Sequence, residues 1–438
     1  MARQSNPGSL FARFLHWEAA GSLVLLAATA AALAWANSPN RDLYMRLAHT
    51  PIAVGMGEGT YTASLQHWVN DLLMAVFFFV IGLEIKRELV LGELSTVEKA
   101  TLPVMAALGG MLVPAAIYWA INAGGPGSRG WGVPMATDIA FAIGILAVFG
   151  SRVPAGLKVF LAALAIADDL GAVLVIAIFY SEAIRLWPLA IGAVVLLLIA
   201  LATRKDIRRP GLYVTMGLLV WASVTLSNLH PTVAGILVAM MIPVRAKWEP
   251  KEFFAAIARR IEDLRAKDLT RDSMIADRDQ QEALDDLHRA TSGMRPMGQV
   301  LERNLHPFVV FVILPLFAFF NAGVVVELTG AALGDPVGVG IVLGLVLGKQ
   351  IGIMLFSWLA VKSGRGALPD SVTWAQLYGA ACLAGVGFTM SLFITDLAFD
   401  DERLMTAAKL AILAASVVAA VWGAVILNRR LPKQARLA

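Results

Sequence analysis

Runs of about twenty apolar residues recur along the chain, each long enough as a helix to cross a hydrocarbon core of ~30 Å. About twelve can be placed at the ~20-residue length a span needs, beginning near residues 17, 65, 100, 127, 155, 186, 210, 229, 304, 336, 373 and 403. Inside a bilayer the backbone must satisfy its own hydrogen bonds, so such runs fold as helices. The fold class read from them is an all-α polytopic membrane protein with about 12 transmembrane helices, numbered here as segments 1 to 12. Only 16% of the residues are charged and 58% are hydrophobic, against about 25% charged in soluble domains.

Arg3 and Arg13 precede a long apolar run from Ala19 to Ala36 without a clear cleavage site, so segment 1 is read as a retained span. Basic residues collect in alternate connections: Lys86, Arg87 and Lys99, then Arg152 and Lys158, then Arg204, Lys205, Arg208 and Arg209, then Lys362 and Arg365, then Arg429, Arg430, Lys433 and Arg436. The opposite connections hold only Arg41, Arg46, Arg129, Arg185 and Arg403. The positive-inside rule makes the first side cytoplasmic and puts both termini there. The organisation expected is a cytoplasmic N-terminus (1–16), segments 1 to 8 (17–247), a cytoplasmic insertion (248–302), segments 9 to 12 (303–428) and a cytoplasmic tail (429–438). The net charge of +4 is explained by these flanking residues, and nucleic acid is excluded as a partner. The sole cysteine, Cys382, lies in an apolar segment and rules out an internal disulfide.

Two connections are more than loops. Alternation around Gly57-Glu58-Gly59, within 42–65, suits a short external β-hairpin, although a solvated loop fits the same pattern. The charged stretch from Trp248 to Arg295 places Phe253, Ile257, Ile261 and Leu264 on one helical face and reads as a cytoplasmic helical insertion, although a solvated or partly disordered extension with no role in the chemistry fits the same charge. Segments 3–5 and 10–12 are offset by an odd number of spans, so equivalent helices would run in opposite directions. The middle member of each triplet is interrupted, at Pro134-Met135-Ala136-Thr137-Asp138 and at Gly385-Val386-Gly387-Phe388-Thr389. Matching interruptions suggest inverted-topology repeats with two broken helices and an ion site at the midplane.

The acids support that reading. Asp168 and Asp169 stand together in an otherwise apolar run from Val159 to Tyr180, at a cost of roughly 2.5–3.5 kcal/mol each on insertion scales. Asp138 beside Thr137 and Lys349 in segment 10 bring the buried charges to four. At broken helices Asp138 would offset half-helix N-termini and Lys349 half-helix C-termini, and a purely static role fits each as well. Neighbouring helical residues point about 100° apart, so one aspartate can ligate a cation while the other meets Lys349. Carboxylates, Thr137 and carbonyls of an unwound helix suit hard cations such as Na+ or Li+. Burial and a neighbouring negative charge disfavour two ionised carboxyls, which lets a proton compete for them. Asp71, near His67 and Asn70, reads either as entrance-lining or interfacial. Lys409 is expected to snorkel outward. Glu84, Lys86, Arg87, Glu88, Glu302, Arg303 and His306 form a charged set near the cytoplasmic face, and ordinary helix-end charge explains it equally well. His230 reads as a loop histidine, and neither it nor His288 has metal-ligand spacing.

These residues together resemble the NhaA family of bacterial Na+/H+ antiporters, itself an example of the inverted-repeat transporters. The resemblance is carried by Ala36-Asn37-Ser38-Pro39, Gly82-Leu83-Glu84-Ile85-Lys86-Arg87-Glu88-Leu89, Pro134–Phe141, Ala165–Ala172, Leu314–Phe319, Gly348-Lys349 and Gly385–Ser391, over nearly the whole chain. It implies that Asp168 and Asp169 form the cation and proton site, with Asp138, Thr137 and Lys349 around it. It implies a cytoplasmic pH-responsive region of Glu84, Arg87, Glu88, Glu302 and His306, a homodimer paired through the hairpin, and electrogenic exchange in the bacterial inner membrane. The long insertion, and Arg303 where a histidine can occur, depart from the family pattern. Two other classes share features: an intramembrane aspartyl protease also buries two aspartates, but its Gly-x-Gly-Asp signature is missing, and a Na+-coupled symporter of a small organic solute would use similar broken helices but needs a larger substrate pocket. No phosphate-cradling glycine loop or other cofactor signature is visible.

Overall fold

The computed structural model describes residues 7–55, 60–181, 184–205, 207, 210–246, 249–265, 281, 285, 296–326 and 334–432. Among them, eight helices are long and apolar enough to cross a membrane: Leu65–Leu91, Val97–Asn122, Ser128–Val148, Ala155–Phe179, Leu186–Arg204, Met297–Asn321, Pro336–Lys362 and Glu402–Arg430. Two bent pairs raise the number to ten if each is one span. One is segment 11, Trp374–Ala384 with Phe388–Ala398, bent by 43°. The other is a 119° turn from segment 1 into Arg41–Ala48, which the sequence reading did not anticipate. Segments 7 and 8 are the shorter apolar helices Gly211–Leu226 and Thr232–Met241. Segment 8 ends where the Lys86 ammonium donates to the carbonyls of Met240 and Ile242, at 2.6 and 2.5 Å. A cation there satisfies carbonyls that a helix end leaves open.

The chain also holds a small antiparallel sheet. Pro51–Val54 pairs with Tyr61–Ser64, Pro51 opposite Ser64 and Val54 opposite Tyr61. Ser64 then caps the helix that follows, its hydroxyl accepting from His67 N–H at 3.1 Å, a favoured N-cap role. The Gly57-Glu58-Gly59 turn lies outside the described residues. In the insertion, Pro250–Arg265 is helical, with Phe254 and Ile261 exposed. His288 and most of the rest of the insertion lie outside the described residues. Segment 9 begins at Met297, earlier than the expected 304.

Packing brings segments 3, 5 and 10 to the centre. Segments 3 and 10 meet at Gly109 and Gly352, where a Cβ on Gly352 would lie 2.0 Å from the Gly109 carbonyl oxygen. Only glycine allows backbones this close, the usual device for helix pairs in lipid. Just before this contact, Gly344–Gly348 forms a π-helical turn, and Lys349 follows it into the core.

Candidate functional site

Segment 4 runs as a 3-10 helix from Ser128 to Met135, leaves helical geometry at Ala136 (φ −74°, ψ 149°) and resumes as an α-helix at Ile139. Pro134 sits at the end of the first half, where its missing N–H helps to end the run. Segment 11 breaks at Gly385–Gly387, between Ala384 and Phe388. The two breaks touch. Asp138 N–H donates to the Val386 carbonyl at 2.7 Å. Its Oδ1 accepts from Phe141 N–H at 3.0 Å, and its Oδ2 accepts from the Thr389 N–H at 3.1 Å and the Thr389 hydroxyl at 2.5 Å. One carboxylate thus faces the first turns of both resumed half-helices, opposite their partial positive charge. At the other pole, Lys349 Nζ donates to the carbonyl of Met135, the last residue of the first half of segment 4.

The adjacent acids of segment 5 face different surroundings. Asp168 Oδ2 lies 2.6 Å from Lys349 Nζ and 2.6 Å from the Thr137 hydroxyl. Thr137 Oγ1 is also 2.9 Å from the Ala384 carbonyl, and its single proton can serve only one acceptor at a time. Asp168 Oδ1 is buried with no hydrogen-bond partner among the described residues. Asp169 turns instead to a cavity of about 430 Å³, which also meets Glu84, Arg87, Asp138, His306 and Thr389. That cavity reaches Glu93 and Lys158, at the end of the bundle rich in basic residues. Asp169 is therefore the acid next to the cavity, and Asp168 lies behind it against Lys349. All five residues, Thr137, Asp138, Asp168, Asp169 and Lys349, are buried.

Near the cavity mouth Arg87 gathers three carboxylates. Its guanidinium bonds Glu302 and lies 3.2 Å from Glu88 and 3.7 Å from Glu84. Glu88 also accepts from Glu93 N–H at 3.0 Å, and His306 stands one turn beyond Glu302. Two members of the expected charged set are elsewhere: Lys86 caps segment 8, and Arg303 is exposed.

At the opposite end the structure corrects one expectation and adds a residue. Lys409 does not snorkel; it is buried and pairs with Asp396 at 2.7 Å. Asp396, near the end of segment 11, is a partner the sequence reading missed, since an acid beside Leu397-Ala398-Phe399-Asp400 reads as a helix end. Asp71 is buried and pairs with His67 at 3.0 Å, with the Tyr61 hydroxyl 3.0 Å from the same ring nitrogen. His230 opens segment 8, bonded to Thr232 at 2.7 Å and edge-on to Phe393.

A sequence model of the family described as Na+/H+ antiporter 1 matches residues 12–427. The chain belongs to the NhaA family of Na+/H+ antiporters. The Na+/H+ antiporter NhaA of Koribacter versatilis is 45% identical over 426 residues, spanning 96% of this chain and 92% of that protein. The antiporter NhaA 2 of Sorangium cellulosum is 46% identical over 416 residues, 93% of this chain and 87% of its own. That of Rhodopirellula baltica is 44% identical over 426 residues, 97% and 95% of the two chains. This NhaA-family chain is a multi-pass membrane protein.

Proposed function

We propose that this protein exchanges cytoplasmic Na+ or Li+ for external H+ by alternating access, with Asp168 and Asp169 holding either the cation or protons. The observation that carries the reading is the split of the acid pair, Asp169 on the cavity and Asp168 paired with Lys349. With Asp168 balanced by the ammonium and Asp138 by two helix N-termini, Asp169 is the charge that needs a counterion. Empty and ionised, it is too costly to carry through a closed, low-dielectric state. Loaded with Na+ or a proton, Asp169 has its counterion and the site can reorient. Exchange is then obligatory. A cation reaching Asp168 Oδ1 as well would compete with Lys349 for the same carboxylate, and release of the lysine proton beside that of Asp169 makes exchange electrogenic. Family membership supports antiport over solute symport, which no observation favours.

The basic end is cytoplasmic by the positive-inside rule, so the chain lies in the bacterial inner membrane with both termini inside. The ten long or bent spans with the short segments 7 and 8 then make twelve crossings, and the triplets 3–5 and 10–12 are inverted repeats. Arg87 with Glu84, Glu88, Glu302 and His306 at the cavity mouth is the pH-responsive region. The hairpin, a two-stranded sheet with Val54 and Tyr61 exposed, pairs protomers into a homodimer.

The test is Na+-dependent proton movement in proteoliposomes. Wild-type protein is expected to exchange and Asp169→Asn not to; full exchange by that variant would sink the assigned site.

A further inference from the structure

Between the aspartates and the end of the bundle opposite the cavity stand two layers built from segments 2, 9 and 11, the outer one joined by segment 12. The inner layer is aromatic: Phe393 of segment 11 packs on Phe78 of segment 2 and Phe317 of segment 9, ring centroids 5.6 and 6.1 Å apart. The outer layer lies three to eight residues further along each helix and is polar. Asn321 Nδ2 donates to Asn70 Oδ1 at 2.7 Å, and Asn70 Nδ2 lies 3.0 Å from both Asn321 Oδ1 and Asp396 Oδ2. Gln66 donates to Asn321 Oδ1 at 3.0 Å, and Lys409 of segment 12 holds Asp396 at 2.7 Å.

We propose that this polar layer is a latch that keeps the external route shut while the cavity is open inward, and that it parts when the site turns outward. The inference rests on the alternating-access reading above. Every bond named except those between the two asparagines and the glutamine ties segment 11 to another helix, and those remaining tie segment 2 to segment 9. A shift of segment 11, which also carries Thr389 at the Asp138 crossing, therefore breaks the layer together with the site's contacts. The ion pair makes the change two-state. Separated in a dry interior, an ammonium and a carboxylate lose more than they can recover, so the latch stays closed until water enters from outside. Closed, the pair is neutral and leaves no lone carboxylate to trap a cation short of Asp169. Packed interfaces of this kind switch between arrangements rather than deform gradually.

Cross-linking tests it. In a Cys382→Ser background, which removes the sole native thiol, Gln66→Cys with Asn321→Cys ties segment 2 to segment 9 and leaves Asp396 and Lys409 intact. Asn70→Cys with Asp396→Cys ties segment 2 to segment 11. Both are joined by a reducible thiol cross-linker in proteoliposomes. The expected result for either pair is a loss of exchange of at least about tenfold on cross-linking and recovery on reduction, as for a gate held shut, with Na+ binding from the cavity side retained. Undiminished exchange in the fully cross-linked protein would overturn the latch, as would loss of Na+ binding together with exchange. The parent without cross-linker reports separately on the antiport reading, since only its failure to exchange contradicts that reading.

Discussion

Among the described residues, the buried charges Asp138, Asp168, Lys349 and Lys409 are each held by a partner from another segment, and the partner decides what the charge can do. Asp138 is the clearest structural member, since its oxygens take three donors from two half-helices. Asp138→Ala removes both caps, at about 1 kcal/mol each, and should lower the thermal midpoint, whereas Asp138→Asn, which still accepts, should lose less; thermal unfolding in detergent checks the order. Lys349 stands between Met135 and Asp168. Lys349→Ala is expected to change the pH profile of exchange more than its preference among Na+, Li+ and K+, and an unchanged profile would leave the lysine only a packing role. The acid pair, Asp138 and Lys349 were all legible in the sequence because a charge inside an apolar run is conspicuous. Asp396 was not, and Lys409 read only as a snorkelling charge, because both lie toward a segment end, where charge is ordinary, and only tertiary packing brings them together.

Among the elements, the interruptions matter more than the helices. Pro134 and the glycines of 385–387 announced both breaks, but the sequence holds no period that says the breaks touch through Asp138 and Val386. Close approach of segments 3 and 10 sets where Lys349 stands. A side chain at Gly352 would drive into the Gly109 carbonyl, so Gly352→Leu should separate the two segments, lower the thermal midpoint and cut exchange at least about tenfold, since overpacking typically costs 1–3 kcal/mol. Parallel measurement of stability and transport checks it; full exchange would free the lysine's position from this contact. At the cavity mouth, Glu302→Gln removes the charge nearest Arg87 and is expected to shift the pH at which exchange begins while leaving the maximal rate within about twofold, as for loss of one partly exposed ion pair. The 119° turn after segment 1 was illegible because Asn37-Ser38-Pro39-Asn40 signals a turn without its angle.

For the whole molecule, the hairpin's alternation fits a loop as well, while the spans and the basic-end asymmetry follow from hydropathy and the positive-inside bias, both readable one residue at a time. The direction in which the cavity opens is not, because it depends on which of two helix packings is populated. Deleting 51–64 should give a monomer that still exchanges, since no described hairpin residue lines the cavity; mass measurement in detergent and a transport assay check the two halves of that statement. The central claim is competition, the same two carboxylates holding Na+ or protons. The most direct measurement is proton release from purified, weakly buffered protein when Na+ is added. The wild type should release protons saturably as Na+ binds, and Asp168→Asn with Asp169→Asn should release none. Na+ binding to the wild type without proton release, or undiminished release from the double variant, would contradict the account.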